Sequence, residues 1–135
     1  MRKYTIIIVE NDTDEQFFIK EAFDASGLFA IETQAENGDR LLSWLNEHPG
    51  RLPDLILSDL NMPGKNGYDI IQHCKATPAL AAVPIIIMST SSTPSIISKC
   101  LEMGAADYLV KPETFIEYDV FAVNLYQLLT EKIIR

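Results

Sequence analysis

Three runs of this chain are almost wholly apolar: YTIIIV at 4–9, DLILS at 54–58 and PIIIMS at 84–89. A strand with one face in water alternates apolar and polar residues. A strand covered on both faces does not, so these runs call for a sheet buried from both sides. The segments between them supply the cover. Amphipathic stretches at 14–27, 38–48, 67–77 and 94–104 read as helices, and a last one runs from Thr114 to about Lys132. Shorter runs at 29–34 and 107–110 read as strands two and five. Strand and helix therefore alternate five times. Such alternation predicts right-handed crossovers and an α/β fold, a doubly wound parallel sheet with helices on both faces.

Local signals mark the element ends. Thr13 with Gln16, and Thr114 with Glu117, fit capping boxes, and Gly27 fits a helix stop. Pro49-Gly50 ends the second helix, and Pro94 after Thr93 suits a first helical position. No repeat, low-complexity stretch or Gly/Ser linker breaks residues 1–135, so one domain is expected, with no separate output domain.

Composition narrows the partners. The 135 residues carry a net charge of −8, which argues against direct nucleic-acid binding and against an anionic membrane surface. The N-terminal apolar run is about five residues, far below the ~18 that a spanning helix needs. Cys74 and Cys100 are too few for a disulfide scaffold and lack metal-ligand spacing. They read as reduced thiols of a cytoplasmic protein.

A parallel sheet brings the carboxyl ends of its strands to one edge, where ligands of such folds bind. Glu10, Asn11 and Asp12 follow strand one, Asp59 ends strand three, Ser89 and Thr90 end strand four, and Lys111 follows strand five. Clustered carboxylates repel, so this nest needs a cation or raised pKa values. Hard oxygen donors with room for water suit Mg²⁺. With Lys111 and Ser89 nearby, the set equips Asp59 as a carboxylate nucleophile toward phosphorus.

Taken together in order, IIIVEND, LILSDLNMPGKNGYDII, PIIIMSTSS and GAADYLVKP resemble the receiver domain of two-component response regulators, over residues 4–132. The resemblance is to stand-alone receivers of the chemotaxis-regulator kind. It implies a flavodoxin-like (βα)5 fold with strand order 2-1-3-4-5. It also implies phosphorylation of Asp59 by a histidine kinase or phosphotransfer protein, with Mg²⁺. Asp59, Asn11 and the main-chain carbonyl of Asn61 would hold the metal, with Glu10 and Asp12 as further candidates. Ser89 and Lys111 would assist the transfer, and Ser89 and Tyr108 would switch, Tyr108 turning inward on phosphorylation. A cis bond is implied between Lys111 and Pro112. Output would be a protein contact through helix four, strand five and helix five, including a possible homodimer, with the downstream protein unknown. The chain would be no enzyme apart from catalysing its own phosphorylation and dephosphorylation. One position departs from the pattern: Asn11 stands where the family carries a metal-binding acid.

Plainer readings stand beside these. Asp12 reads equally well as a helix cap, and Tyr108 as ordinary packing. Thr90, Ser91 and Ser92 read better as a turn start. Leu125 and Leu129 suit a sheet-facing stripe on the last helix, with Tyr118 and Tyr126 elsewhere. Trp44 reads as helix core, and His48 and His73 as surface. Asn11 also admits a degenerate receiver, a binding module that never carries phosphate. A haloacid-dehalogenase-type phosphatase wants an Asp where Asn61 stands. A flavin carrier would find its phosphate repelled by ENDTDE.

Overall fold

Residue parity along the strands divides the core of this protein in two. The computed structural model describes residues 2–134. In chain order the elements are β1 (Tyr4–Val9), α1 (Thr13–Ser26), β2 (Phe29–Ala35), α2 (Gly38–Glu47), β3 (Leu55–Asp59), α3 (Gly67–Ala76), β4 (Ile85–Ser89), α4 (Pro94–Met103), β5 (Asp107–Val110) and α5 (Tyr118–Leu128). The strands form one parallel sheet in the order β2-β1-β3-β4-β5. This is the expected doubly wound arrangement.

Successive side chains of a strand point to opposite faces. Ile7, Val9, Ile56, Ile85 and Ile87 pack with Leu41, Ile70, Ile71, Cys74 and Cys100 from α2, α3 and α4. Ile6, Ile8, Leu55, Leu57, Ile86 and Met88 pack with Ile19, Phe23, Ala122 and Leu125 from α1 and α5. Both faces of the three central strands are therefore apolar, which is why their sequences show no alternation.

The ends of the elements depart from expectation in three places. Asp12, not Thr13, caps α1: its carboxylate accepts the Glu15 amide at 2.9 Å. The Thr13–Gln16 box does not form, because Thr13 already lies inside the helix. The last helix is composite, a 3₁₀ turn over Phe115–Glu117, then α5, then a π-helical turn over Leu129–Ile133. The Thr114–Glu117 box does form, and it caps the 3₁₀ turn. Leu125 and Leu129 are fully buried as expected, but so is Tyr118, at 1% exposure. Tyr126 is half-buried, and its hydroxyl donates to the Arg2 carbonyl at 2.6 Å. Trp44 is only half-buried, at the rim of the core, with its ring stacked on His48 at 4.2 Å.

The loop after β3 is shaped by close approach. A Cβ on Gly67 would stand 3.0 Å from the Asp59 carbonyl oxygen and 3.0 Å from the Leu60 Cα. Ile87 would close the third side at 3.1 Å. Only glycine lets α3 start this near the strand that carries Asp59. Gly67→Ala is expected to cost about 1–3 kcal/mol, the usual scale of overpacking. The check is a lower urea midpoint at unchanged m-value.

Candidate functional site

Alternation also decides what meets at the carboxyl edge. Glu10 continues the parity of Ile6 and Ile8, and Asp59 that of Leu55 and Leu57. Lys111 continues the parity of Leu109, which packs on the same side. All three therefore reach the α1–α5 side of the sheet. Ser89 continues Ile85 and Ile87 toward the other side.

The Lys111 ammonium joins the three elements. It donates to Glu10 Oε1 at 2.6 Å and to Glu15 Oε2 at 3.2 Å, and lies 3.3 Å from Asp59 Oδ1. Its side chain is 7% exposed, and that of Glu10 is 1% exposed. A lone buried charge is costly, whereas a paired and hydrogen-bonded one is tolerated. Three carboxylates around one ammonium leave the group with net negative charge, so burial acts against it. Burial pushes the Glu10 carboxyl up to about 7, against the opposing hydrogen bond from Lys111. Burial likewise raises Asp59, opposed by the Lys111 charge. For Lys111, burial favours the neutral amine, but Glu10, Asp59 and Glu15 outweigh it and its pKa rises.

The sequence-predicted residues are not all gathered here. Asn11 and Asp12 follow Glu10 on the exposed loop. The Asp12 carboxylate serves as the α1 cap, and its amide donates to Glu10 Oε2 at 3.0 Å. Asn61 lies exposed two residues beyond Asp59. Ser89 is buried and accepts the Ser91 amide at 3.2 Å, which leaves its own O–H free to donate. Tyr108 is already turned inward at 8% exposure, and its hydroxyl donates to the Ser91 carbonyl at 2.7 Å. The carbonyl of the β4–α4 loop thus satisfies the phenol of this largely buried ring. No cis peptide occurs among the described residues, so Lys111–Pro112 is trans, contrary to the implied cis bond.

Two residues of the site escaped sequence reasoning. Glu15, in the first turn of α1, binds Lys111. Tyr118, at the start of α5, donates its hydroxyl to Glu15 Oε1 at 2.5 Å. Burial first, then this hydrogen bond, raises the Tyr118 pKa far above that of an ordinary phenol. Glu15 follows Glu10 by five residues across the strand-to-helix turn, a placement that could have flagged it. Nothing local marks Tyr118.

The family model described as "Response regulator receiver domain" matches residues 6–118. The chain belongs to the response-regulator receiver family. Among curated relatives, two-component response regulator ORR11 of Oryza sativa subsp. indica is 39% identical over 80 residues, 59% of this chain and 53% of that protein. This receiver chain aligns with about half the length of that relative. The receiver domain of a signal transduction histidine kinase from Syntrophus aciditrophicus superposes with a TM-score of 0.77 at 29% identity, covering 98% of this chain and 94% of that one. The phosphorylated cyanobacterial phytochrome response regulator RcpA superposes with a TM-score of 0.84 at 23% identity, covering 96% of each chain. At that identity the likeness to RcpA is one of fold. The family places this chain in two-component signalling.

Glu10 carries a testable consequence of burial. Its carboxyl binds a proton more readily folded than unfolded, so the stabilisation it gives is complete below pH 4.5 and lost as pH rises through about 7. Without added metal, the urea midpoint is expected to fall across that window. Glu10→Gln, which does not titrate, should flatten the slope.

Proposed function

We propose that Asp59 is the phosphoacceptor of a two-component receiver, charged by a histidine kinase or phosphotransfer protein. The observation that carries this reading is the Lys111 ammonium 3.3 Å from the buried Asp59 carboxylate at the carboxyl edge of the sheet. An Asp59 oxygen attacks the phosphorus of a phosphohistidine. The P–N bond breaks, its electron pair stays on the imidazole nitrogen, and an acyl phosphate forms on Asp59. Hydrolysis reverses the charge flow, with a water oxygen attacking phosphorus and the Asp59 carboxylate leaving. Lys111 offsets the charge on the new phosphoryl oxygens. Ser89 has its hydroxyl proton free to donate to one of them.

The donor set fits a hydrated Mg²⁺. Among the described residues no three His, Cys, Asp or Glu side chains form a ready metal cluster. Both Glu10 oxygens are hydrogen-bonded, and Asp12 is engaged as a cap. Asp59, the Asn11 amide oxygen and the Asn61 main-chain carbonyl would then be the direct ligands, with Glu10 and Asp12 as further candidates. These are hard oxygen donors beside solvent, as Mg²⁺ prefers. The ion, when bound, neutralises charge on the phosphoryl oxygens.

Output is a protein contact through α4, β5 and α5, where Leu101, Val110, Val120 and Val123 are exposed. A homodimer through this face would appear as concentration-dependent sedimentation that responds to phosphodonor. Cys74 and Cys100 are free and buried, which supports a reducing, cytoplasmic setting.

Intact-mass spectrometry after acetyl phosphate and Mg²⁺ tests the acceptor. Wild type should gain one phosphoryl mass and Asp59→Asn none. Stable labelling of the mutant would remove Asp59 from the role. A wild type that takes no phosphoryl group would favour the degenerate receiver.

Asn11→Asp restores a carboxylate at a direct ligand position. One charge at metal distance is worth roughly 1–3 kcal/mol in a partly screened site, or about one to two decades in affinity. Calorimetric titration should show Mg²⁺ binding tightened on that scale. Unchanged affinity would place position 11 outside the ligand set.

A further inference from the structure

Gln16, which the sequence offers as half of a capping box, takes no part in the α1 cap that Asp12 supplies. It serves the loop before the helix instead. Its backbone amide donates to the Asp12 carbonyl at 2.9 Å, and its side-chain amide reaches back and donates to the Glu10 carbonyl. One half-buried residue thus grips both ends of the loop from Glu10 to Asp12. The grip is tied to the sheet. The Gln16 carbonyl accepts the Gln34 side-chain amide at 2.9 Å, and the Glu10 amide donates to the Ala35 carbonyl at 2.9 Å.

Between these two ends stands Asn11, exposed to solvent. The peptide units on either side of a residue are planar, so fixing both planes fixes its φ and ψ. The unit before Asn11 carries the Glu10 carbonyl, which Gln16 holds. The unit after it carries the Asp12 amide, which Glu10 Oε2 holds at 3.0 Å. The direction of the Asn11 Cβ is therefore set by the backbone of an otherwise open loop. Such fixing matters more for an amide than for a carboxylate. Mg²⁺ demands near-ideal geometry, and a neutral oxygen lacks the charge that would draw it to the ion. A donor already held in place also avoids the entropy cost of ordering on binding.

We propose that Gln16 is a positioning residue whose side-chain amide, by holding the Glu10 carbonyl, keeps Asn11 in place as a ligand for Mg²⁺. The proposal rests on the reading of Asn11 as a direct ligand. It gives the loop a substitute for the missing carboxylate: geometry fixed from α1 in place of charge. Gln16 touches neither the ion nor Asp59 in this role and acts only through the Glu10–Asn11 peptide.

Neutral variants, each shown folded by urea unfolding, decide the matter. Gln16→Met keeps the length of the side chain without a donor, and Gln16→Leu repeats the test with a shorter, branched chain. Gln34→Leu removes the tie between α1 and β2 and leaves the Gln16 donor in place. In the metal-free protein, the ¹⁵N order parameter of the Asn11 amide should fall in both Gln16 variants from about 0.85 toward about 0.6. In Gln34→Leu it should stay as in wild type. Calorimetric titration should show Mg²⁺ bound about two- to tenfold more weakly by both Gln16 variants, the scale of one neutral hydrogen bond. In an Asn11→Ala background, Gln16→Met should weaken Mg²⁺ binding no further. An unchanged order parameter in both Gln16 variants overturns the clamp. Losses in Gln34→Leu as large as in Gln16→Met assign the effect to the α1–β2 seam and overturn it too. If Asn11→Ala binds Mg²⁺ more weakly than wild type but the Gln16 variants do not, the positioning role alone is overturned. If Asn11→Ala binds Mg²⁺ as well as wild type, the ligand reading fails and the positioning role falls with it.

Discussion

One ammonium makes the carboxyl edge of this sheet possible. Glu10, Glu15 and Asp59 come from three different elements and converge on Lys111 in a space that water barely reaches. Without that cation the three carboxylates would repel one another and pay the full cost of burial. With it, two carboxyls still sit above their ordinary pKa values. The group is held together while remaining short of positive charge. That imbalance is what suits it to a divalent cation and to a phosphoryl group whose oxygens Lys111 can meet.

The sheet places these groups by a simple device. Period-two alternation sends Glu10, Asp59 and Lys111 to the side covered by α1 and α5, and sends Ser89 and Tyr108 to the side covered by α4. Chemistry on one side and hydroxyl and aromatic contacts on the other are joined through the strand ends. The Lys111 amide donates to the Ser89 carbonyl at 2.8 Å, and the Leu60 amide donates to the Met88 carbonyl at 3.1 Å. A movement of Lys111 is therefore connected by backbone to the strand that carries Ser89.

The fold was legible because its signals are local and redundant. Apolar runs without alternation mark buried strands, and the helices between them follow from amphipathic spacing. Where expectation failed, a neighbour in space had taken over. The Thr13–Gln16 box did not form because Asp12, in its alternative reading as the cap, reaches the Glu15 amide. Tyr118 packs into the α1–α5 core, and its hydroxyl donates a hydrogen bond to Glu15, more than a hundred residues earlier.

The sequence by itself determined the element order, the doubly wound class and the residues that follow each strand, because these depend on periodicity and on chain direction. It put Asp59, Ser89 and Lys111 on one edge, and strand parity further implies which face each would join. Only the tertiary structure decided which partners Lys111 takes. That choice depends on how α1 and α5 pack against the same face, and hydrogen-bond distances of a few ångströms between side chains so remote in sequence leave no local trace. Glu15 and Tyr118 entered the site that way, and Asp12 was drawn from a candidate ligand into the cap that steadies Glu15.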